Sequence, residues 1–134
     1  MPYLLDASAL LNIIISRGQK ALDVVRGHFV LDLTSYEAGN TFWRLSVLQN
    51  KLTVEAVDST LGVLTKLMEQ TKEMNVRNMN LDSIMNVARN ERTTFYDSAY
   101  IAAAKDRKLT LVTDDGRLSK AASKYVEVRG SSEL

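Results

Sequence analysis

The sequence predicts an α/β fold in which helices cover both faces of a parallel sheet. Two observations support this prediction: short apolar runs typical of buried strands, and longer segments of helical periodicity between them. Parallel strands need crossover connections, which are usually helices, and strands buried on both faces are continuously apolar. The alternation of the two kinds of segment therefore favours a parallel sheet.

The predicted strands are short and the predicted helices long. Apolar runs place strands at residues 2–5, 29–33, 109–113 and 125–128, with a weaker edge strand at 75–79. A helix over residues 53–71 is predicted because Val57, Leu61, Leu64 and Met68 recur on one helical face. Further helices are predicted at residues 34–49, 81–90 and 95–108, and another begins near Ala7.

Length and composition indicate one globular domain over residues 1–134, with 130–134 as a loose tail. The apolar start is interrupted by Asp6 and Asn12 and lacks a basic segment, so we expect neither a signal peptide nor a membrane span, and a cytoplasmic protein. The chain has no Cys, which excludes disulfides and thiolate chemistry. With a net charge of +1, any nucleic acid must be bound by local groups.

Four acidic residues stand where strands end or helices begin. Asp6 follows the first predicted strand, Asp115 follows the strand at 109–113, and Glu37 and Asp97 fall in the first turns of two predicted helices. In a parallel α/β sheet, strand C-termini and helix N-termini share one face, which is where ligands bind. We therefore expect these four side chains to converge.

Each acid also has a purely structural explanation. Thr34 with Glu37 and Thr94 with Asp97 fit a capping box or its Asp variant. Asp6 suits a helix N-cap, and Asp115 suits a turn. Both explanations stay open from the sequence.

As a set, the four acids form an all-oxygen cluster suited to Mg²⁺ or Mn²⁺. Crowded carboxylates raise one another's pKa values, and a bound cation keeps them ionised. Such a cation can activate water and stabilise charge on a phosphoryl group, so phosphodiester hydrolysis is the predicted reaction.

The stretches YLLDASAL, LTSYEAGNTFW and TTFYDSAYIAAAKDRKLTLVTDDGRL, in this strand and helix order, resemble the PIN-domain family over nearly the whole chain. The resemblance implies a three-layer α/β/α sandwich of about five parallel strands. It also implies that Asp6, Glu37, Asp97 and Asp115 bind one or two Mg²⁺ or Mn²⁺ ions. The length is similar to that of VapC-type toxins, which implies an endoribonuclease inhibited by a cognate antitoxin.

Supporting residues follow from the same resemblance. Ser8 and Thr113 match small hydroxyl residues that position carboxylates or a water. The family pattern of Thr, any residue, then Asp selects Asp115, although the neighbouring Asp114 can substitute for it.

Other polar residues are weaker candidates for the site. Asn12 either reaches the metal waters or is an ordinary helix Asn. Four basic residues near the acids either bind RNA phosphates or are ordinary solvated surface charges. They are Arg89, Arg92, Arg117 and Lys120.

The single histidine and the aromatic residues after Thr34 are expected to be structural. His28 lies away from the acids and is interpreted as a loop residue. Tyr36, Phe42 and Trp43 are interpreted as core residues, with base stacking or partner binding as alternatives. Apolar helix faces predict a homodimer.

Two other functions compete with the ribonuclease hypothesis. One is a phosphatase or phosphotransferase in which Asp6 attacks phosphorus, although the second Asp expected two positions later is replaced by Ser8. The other is a binding module that keeps the fold without turnover, against which the intact set of four acids argues.

Overall fold

The computed structural model describes residues 2–134, which form a five-stranded sheet in the order β3-β2-β1-β4-β5. All strand pairs are parallel. The strands are β1 (Tyr3–Leu5), β2 (Phe29–Leu31), β3 (Lys72–Met74), β4 (Thr110–Val112) and β5 (Val128–Arg129). This architecture confirms the predicted α/β class and the predicted parallel sheet.

Seven α-helices within residues 2–134 connect and follow these strands. They are α1 (Ala7–Arg17), α2 (Ala21–Val25), α3 (Asp32–Trp43), α4 (Val54–Gln70), α5 (Leu81–Glu91), α6 (Phe95–Arg107) and α7 (Gly116–Ala122). A π-helical segment, Arg44–Leu48, extends α3. None of the helices described is both long enough and apolar enough to cross a bilayer.

Two hydrophobic clusters lie on opposite faces of the sheet. Successive strand residues point to opposite faces, so Leu4 joins the cluster formed with α5, α6 and α7, whereas Leu5 joins the cluster formed with α1 to α4. β4 repeats this division with Leu111 and Val112. The fold is therefore a three-layer α/β/α sandwich.

The two edge strands differ from their predicted positions. β3 is Lys72–Met74, and the predicted 75–79 segment instead contains a 3-10 turn, Val76–Asn78. β5 begins only at Val128, beyond most of the predicted 125–128 run. Edge strands pair on one side only, and β3 exposes two charged residues, so an apolar run is a poor guide to either strand.

Helix α3 starts earlier than predicted. It begins at Asp32 rather than Thr34, and the Thr34 hydroxyl accepts a hydrogen bond from the Leu31 N–H at 3.1 Å. Glu37 consequently lies in the second turn, so the predicted capping box between Thr34 and Glu37 is wrong. The actual start depends on Asp32, whose Oδ1 accepts from the N–H groups of Leu33 and Val76.

The C-terminal residues, predicted as a loose tail, form a 3-10 turn over Ser131–Glu133 that is held by long-range hydrogen bonds. The Ser131 N–H donates to Asp114 Oδ1 at 2.8 Å, and Arg17 Nη2 donates to the Leu134 carbonyl at 2.5 Å. These partners are distant in sequence, so the polar composition of the tail did not reveal them.

Candidate active site

The candidate site lies at the topological switch point of the sheet, between β1 and β4, where the strand order reverses. From β1 the chain adds β2 and β3 on one side, and β4 and β5 are added on the other. The carboxyl ends of β1 and β4 therefore border a crevice, the usual ligand position in such sheets. A cleft of about 660 Å³ lies there, and all four predicted acids line it: Asp6, Glu37, Asp97 and Asp115.

Asp6 is buried at the end of β1 and caps α1. Its Oδ1 accepts hydrogen bonds from the Ala9 N–H at 2.9 Å and from the Ser8 hydroxyl at 2.8 Å, and its Oδ2 accepts from the Thr113 hydroxyl. Burial raises the pKa of Asp6, these three hydrogen bonds oppose the rise, and the charge of Asp115 adds to it. Asp6 is thus held firmly in one orientation.

Ser8 and Thr113 join the ends of β1 and β4. The Ser8 hydroxyl donates to Asp6 and accepts from the Asp114 N–H at 3.0 Å. The Thr113 hydroxyl also donates to Asp6 and accepts from the Asp115 N–H at 3.1 Å. Ser8 therefore links the Asp6 carboxylate to the backbone of the loop after β4, and Thr113 links it to the backbone of its own loop. Both hydroxyls are placed as positioning residues would be.

Glu37 is half-buried in the cleft and is bound by Tyr100. The Tyr100 hydroxyl donates to Glu37 Oε1 at 2.7 Å. Burial raises the pKa of Glu37, the Tyr100 hydrogen bond opposes the rise, and the charges of Asp6, Asp97 and Asp115 add to it.

The sequence analysis missed Tyr100. Burial and the nearby Glu37 charge raise the pKa of its phenol well above the usual range, so it stays protonated as a donor. Its signal was its position three residues after Asp97, which places both side chains on one face of α6.

Asp97 occupies the first turn of α6, as predicted. The Thr94 hydroxyl accepts from the Asp97 N–H at 3.0 Å, which is one half of the predicted capping box. Burial and the Asp115 charge raise the pKa of the Asp97 carboxyl, whereas the Thr93 hydroxyl and Arg117 lower it. The carboxylate is left facing the cleft rather than completing the box.

Asp114 and Asp115 have different environments. Asp115 lines the cleft and caps α7, with Oδ1 accepting from the N–H groups of Arg117 and Leu118. Asp114 does not line the cleft; it accepts from Asn12 Nδ2 at 2.7 Å and from Ser131. Partial burial raises the pKa of Asp114, but these hydrogen bonds outweigh it and lower the pKa overall. Asp115 therefore has the position of a site residue, and Asp114 that of a structural one.

The capping and site explanations are compatible. Asp6 and Asp115 each cap a helix through Oδ1, and Asp115 Oδ2 makes no hydrogen bond to any residue between 2 and 134. The ion pairs that the described chain forms, Lys124 with Glu91 and Arg129 with Glu127, include none of the four acids. The cleft therefore holds several carboxylates that no cationic side chain neutralises by direct contact.

The donor set suits a hard divalent cation, because every candidate ligand is a carboxylate oxygen. As they are placed within residues 2–134, no three acidic or histidine side chains are close enough to enclose a metal ion. The fit therefore rests on the chemistry of the donors and on the raised pKa values of Asp6, Glu37 and Asp97, to which burial contributes most and the charges of neighbouring acids add.

The other predicted residues divide between the cleft and the surface. Asn12 lines the cleft, but its amide is bonded to Asp114. None of the four predicted RNA-binding residues lines the cleft: Arg89, Arg92, Arg117 and Lys120 are all exposed. Arg92 ends α5 in a left-handed conformation, and Arg117 is near enough to lower the pKa of Asp97.

Arg44 is the basic residue that the cleft does contain, and the sequence analysis missed it. It starts the π-helical segment, seven residues after Glu37, so it lies on the same side of the α3 helix. This seven-residue spacing from Glu37 is the sequence signal for Arg44, although Arg44 is not adjacent to any of the acids in sequence.

The expected structural residues are partly confirmed. His28 Nδ1 accepts from the Tyr3 N–H at 3.0 Å and its ring stacks on Tyr3, away from the cleft. Phe42 is buried, as expected of a core residue, but the core assignment was wrong for Tyr36 and Trp43, which are 79% and 49% exposed. The helical period of α3 turns these two rings outward.

Comparison with known proteins agrees with this architecture. The chain is 31% identical over 128 residues to Exonuclease VapC9 of Pyrobaculum aerophilum, covering 94% of this chain and 90% of the relative. It is similar to the crystal structure of PAE2754 from Pyrobaculum aerophilum, with a TM-score of 0.81 and 28% identity over 100% of this chain and 86% of that one. No model of a known protein family matches the chain. On the strength of this relative, the chain belongs to the VapC family of PIN-domain nucleases.

Proposed function

We propose that this protein is a Mg²⁺- or Mn²⁺-dependent endoribonuclease and the toxin component of a toxin–antitoxin pair. The observation that carries the proposal is the single cleft that Asp6, Glu37, Asp97 and Asp115 all line, without a direct cationic partner among residues 2–134. The VapC name of the relative supports a nuclease, and the carboxylate donors support the metal.

The four carboxylates would hold the cation, each from a different part of the fold. A divalent cation in this position lowers the pKa of water and stabilises negative charge on a phosphoryl group. Ser8 and Thr113 hold the Asp6 carboxylate, and Tyr100 holds Glu37. These hydrogen bonds prepare the donors before substrate arrives, which reduces the reorganisation needed during reaction.

Arg44 is suited to bind the substrate backbone. Its exposed side chain lines the cleft with the acids, and it makes no ion pair with a described residue. A guanidinium binds phosphate oxygens through paired hydrogen bonds. We therefore propose that Arg44 binds a phosphate of the RNA next to the one that is cleaved.

The proposed reaction is tested by incubating RNA with the purified protein in Mg²⁺, in Mn²⁺ and in EDTA, beside the variant Asp97→Asn. Metal-dependent cleavage that the variant lacks is expected. Equal cleavage by the variant would assign the activity to a contaminant, and absence of cleavage on a broad RNA pool would favour the binding-module alternative.

The relative is named an exonuclease, whereas we propose cleavage within the chain. A circular single-stranded RNA separates the two modes because it has no ends. Linearisation of the circle supports an endonuclease. A circle that stays intact, while the linear RNA of the same sequence is shortened stepwise, would establish an exonuclease instead.

Attack on phosphorus by Asp6 is less well supported. The carboxylate is 5% exposed, and both of its oxygens accept hydrogen bonds. A nucleophilic oxygen has to contact the phosphorus directly, which the burial of Asp6 and its fixed orientation do not favour.

An antitoxin and a second copy of the chain are the proposed protein partners. Beside the acids, the cleft has an apolar wall that includes Leu11, Ile15, Leu45 and Leu52. Exposed apolar side chains also cluster at the end of α3 and the start of α4, including Trp43, Val47, Leu48 and Val54. Light scattering of the isolated chain tests the proposed homodimer, and copurification with the product of a neighbouring gene tests the antitoxin.

A further inference from the structure

A second cavity lies beside the acidic cleft, between the N-terminal halves of α3 and α6. It measures about 220 Å³ and is lined by Asp32, Leu33, Tyr36, Val76, Phe95, Tyr96 and Ala99. Its walls are largely aromatic and aliphatic. The proposed metal chemistry uses none of these residues.

On both α3 and α6, neighbouring residues line the apolar cavity and the acidic cleft. On α3, Tyr36 lines the apolar cavity and Glu37 lines the acidic cleft; on α6, Tyr96 and Asp97 are divided in the same way. Because these pairs are consecutive residues, the cavity and the cleft adjoin along both helices. An RNA strand whose phosphate is bound by a cation at the acids would therefore bring a neighbouring base to the cavity.

The two tyrosine rings are unusually accessible. Tyr36 is 79% exposed and Tyr96 is 61% exposed, although both stand at the rim of an apolar cavity. Aromatic rings of this kind stack on nucleobases whatever the base sequence. An aromatic ring contributes stability when it is buried, and these two rings are exposed to solvent. We therefore interpret the pair as a surface on which a base stacks.

Asp32 is the charged residue among those that line the cavity. Asp32 Oδ1 accepts from the N–H groups of Leu33 and Val76, which holds the carboxylate at the start of α3. Its Oδ2 has no hydrogen-bond partner among residues 2–134. A carboxylate oxygen accepts from an N–H group on the edge of a base, which is the exocyclic amino group in adenine, cytosine and guanine and the ring N3–H in uracil.

We infer that the cavity between Tyr36 and Tyr96 binds one unpaired nucleobase of the RNA, next to the cleaved phosphate, with Asp32 accepting a hydrogen bond from an N–H group on the edge of that base. The inference rests on the proposed ribonuclease function. The apolar walls suit the faces of a base, the Asp32 carboxylate suits a donor on its edge, and a cation held by the adjoining acids would bind the neighbouring phosphate.

The subsite is tested by binding, without cleavage. A single-stranded RNA containing 2-aminopurine is titrated into Asp97→Asn protein, and Tyr36→Ala and Tyr96→Ala are added to that background. Loss of one stacked base should raise the Kd roughly 5- to 100-fold and reduce the quenching of 2-aminopurine. Tyr36→Phe and Tyr96→Phe keep the ring and should bind normally.

Trp43→Ala is the matched control, because Trp43 is an exposed aromatic residue of α3 outside the cavity. A Kd that changes less than twofold in both alanine variants, or equally in Trp43→Ala, overturns the subsite. For Asp32, the Kd of oligocytidine is compared with and without Asp32→Asn, which replaces the acceptor Oδ2 with a donor and should weaken binding. A Kd that Asp32→Asn leaves unchanged overturns the role of Asp32.

Cleavage by the unmodified chain is measured in parallel to separate the two proposals. Cleavage of RNA combined with tyrosine-independent binding overturns the subsite and leaves the ribonuclease. Tyrosine-dependent binding without any cleavage overturns the ribonuclease and leaves a base-binding cavity.

Discussion

The Tyr100 hydroxyl donates to Glu37 Oε1 at 2.7 Å and lies 2.8 Å from Thr34 Oγ1, so one buried phenol connects the middle of α6 to two turns of α3. Glu37 enters the site from a helix whose start differs from the predicted one, and this contact holds its carboxylate in the cleft. Tyr100 is therefore a positioning residue for the proposed reaction.

Tyr100→Phe should lower kcat roughly 10- to 100-fold, because a hydrogen bond to a charged group contributes about 1.5–3 kcal/mol. Thr34→Val is the control. It removes the Thr34 contact and the cap on the Leu31 N–H, so it should cost about 1–2 kcal/mol in the free energy of unfolding while leaving the Tyr100–Glu37 bond. Comparable losses of kcat in the two variants would mean that Tyr100 acts only through stability.

Asp114→Asn and Asp115→Asn should have opposite effects. Asn is a good N-cap, so Asp115→Asn should keep the free energy of unfolding but abolish RNA cleavage. Asp114→Asn removes an acceptor for Asn12 or Ser131 and should lose about 1 kcal/mol of stability while cleaving RNA. Urea unfolding and a cleavage assay on both variants check this, and the reverse pattern would assign the site to Asp114.

Asp97→Asn should be more stable than the wild type in EDTA at neutral pH. Burial and Asp115 raise the pKa of Asp97 in the folded state, so its ionised form costs folding free energy, by less than about 1 kcal/mol at this half-exposed position. Addition of Mg²⁺ should raise the Tm of the wild type more than that of the variant. An equal rise in both would exclude Asp97 as a ligand.

Arg44→Met should weaken RNA binding and its dependence on salt. One lost phosphate contact lowers the slope of log K against log salt by about 0.7 for a single strand. The measurement is made in the Asp97→Asn background, and Arg26→Met is the control because Arg26 is exposed but does not line the cleft. The assignment of Arg44 fails if both substitutions change the slope equally.

Glu91 provides a pH-dependent contribution to stability away from the cleft. Hydrogen bonds from Lys124 at 2.6 Å and Tyr125 at 2.9 Å lower its pKa below the ordinary 4.5. A lowered folded-state pKa gives stability that is present above the unfolded pKa and lost as pH falls through the folded value. The difference in unfolding free energy between wild type and Glu91→Gln should therefore vanish in acid.

Glu127→Gln is the comparison for Glu91, because its ion pair with Arg129 is largely exposed and such pairs contribute little. Unfolding by urea at about pH 7 and well below about pH 4 gives both differences. A Glu91 difference that is the same at both values would contradict the assigned ionisation.

Local signals were sufficient for the strongest elements. The predicted helix at 53–71 is α4, Val54–Gln70, and the predicted helix at 95–108 is α6, Phe95–Arg107. Both have a Thr at the N-cap whose hydroxyl accepts a backbone hydrogen bond, so residues close in sequence determine where each helix begins. The edge strands depended on pairing partners instead, and were placed wrongly.

The order of residues also determined that Asp6, Asp97 and Asp115 reach the cleft, because strand ends and helix starts share one edge of a parallel sheet, whereas Glu37 reaches it from the second turn of α3. What surrounds those acids was decided by tertiary structure alone. Tyr100 reaches Glu37, Arg44 enters the cleft, and Ser131 binds Asp114 through contacts between elements far apart in sequence. Periodicity records which face of an element is apolar, whereas these contacts depend on how the packed elements meet.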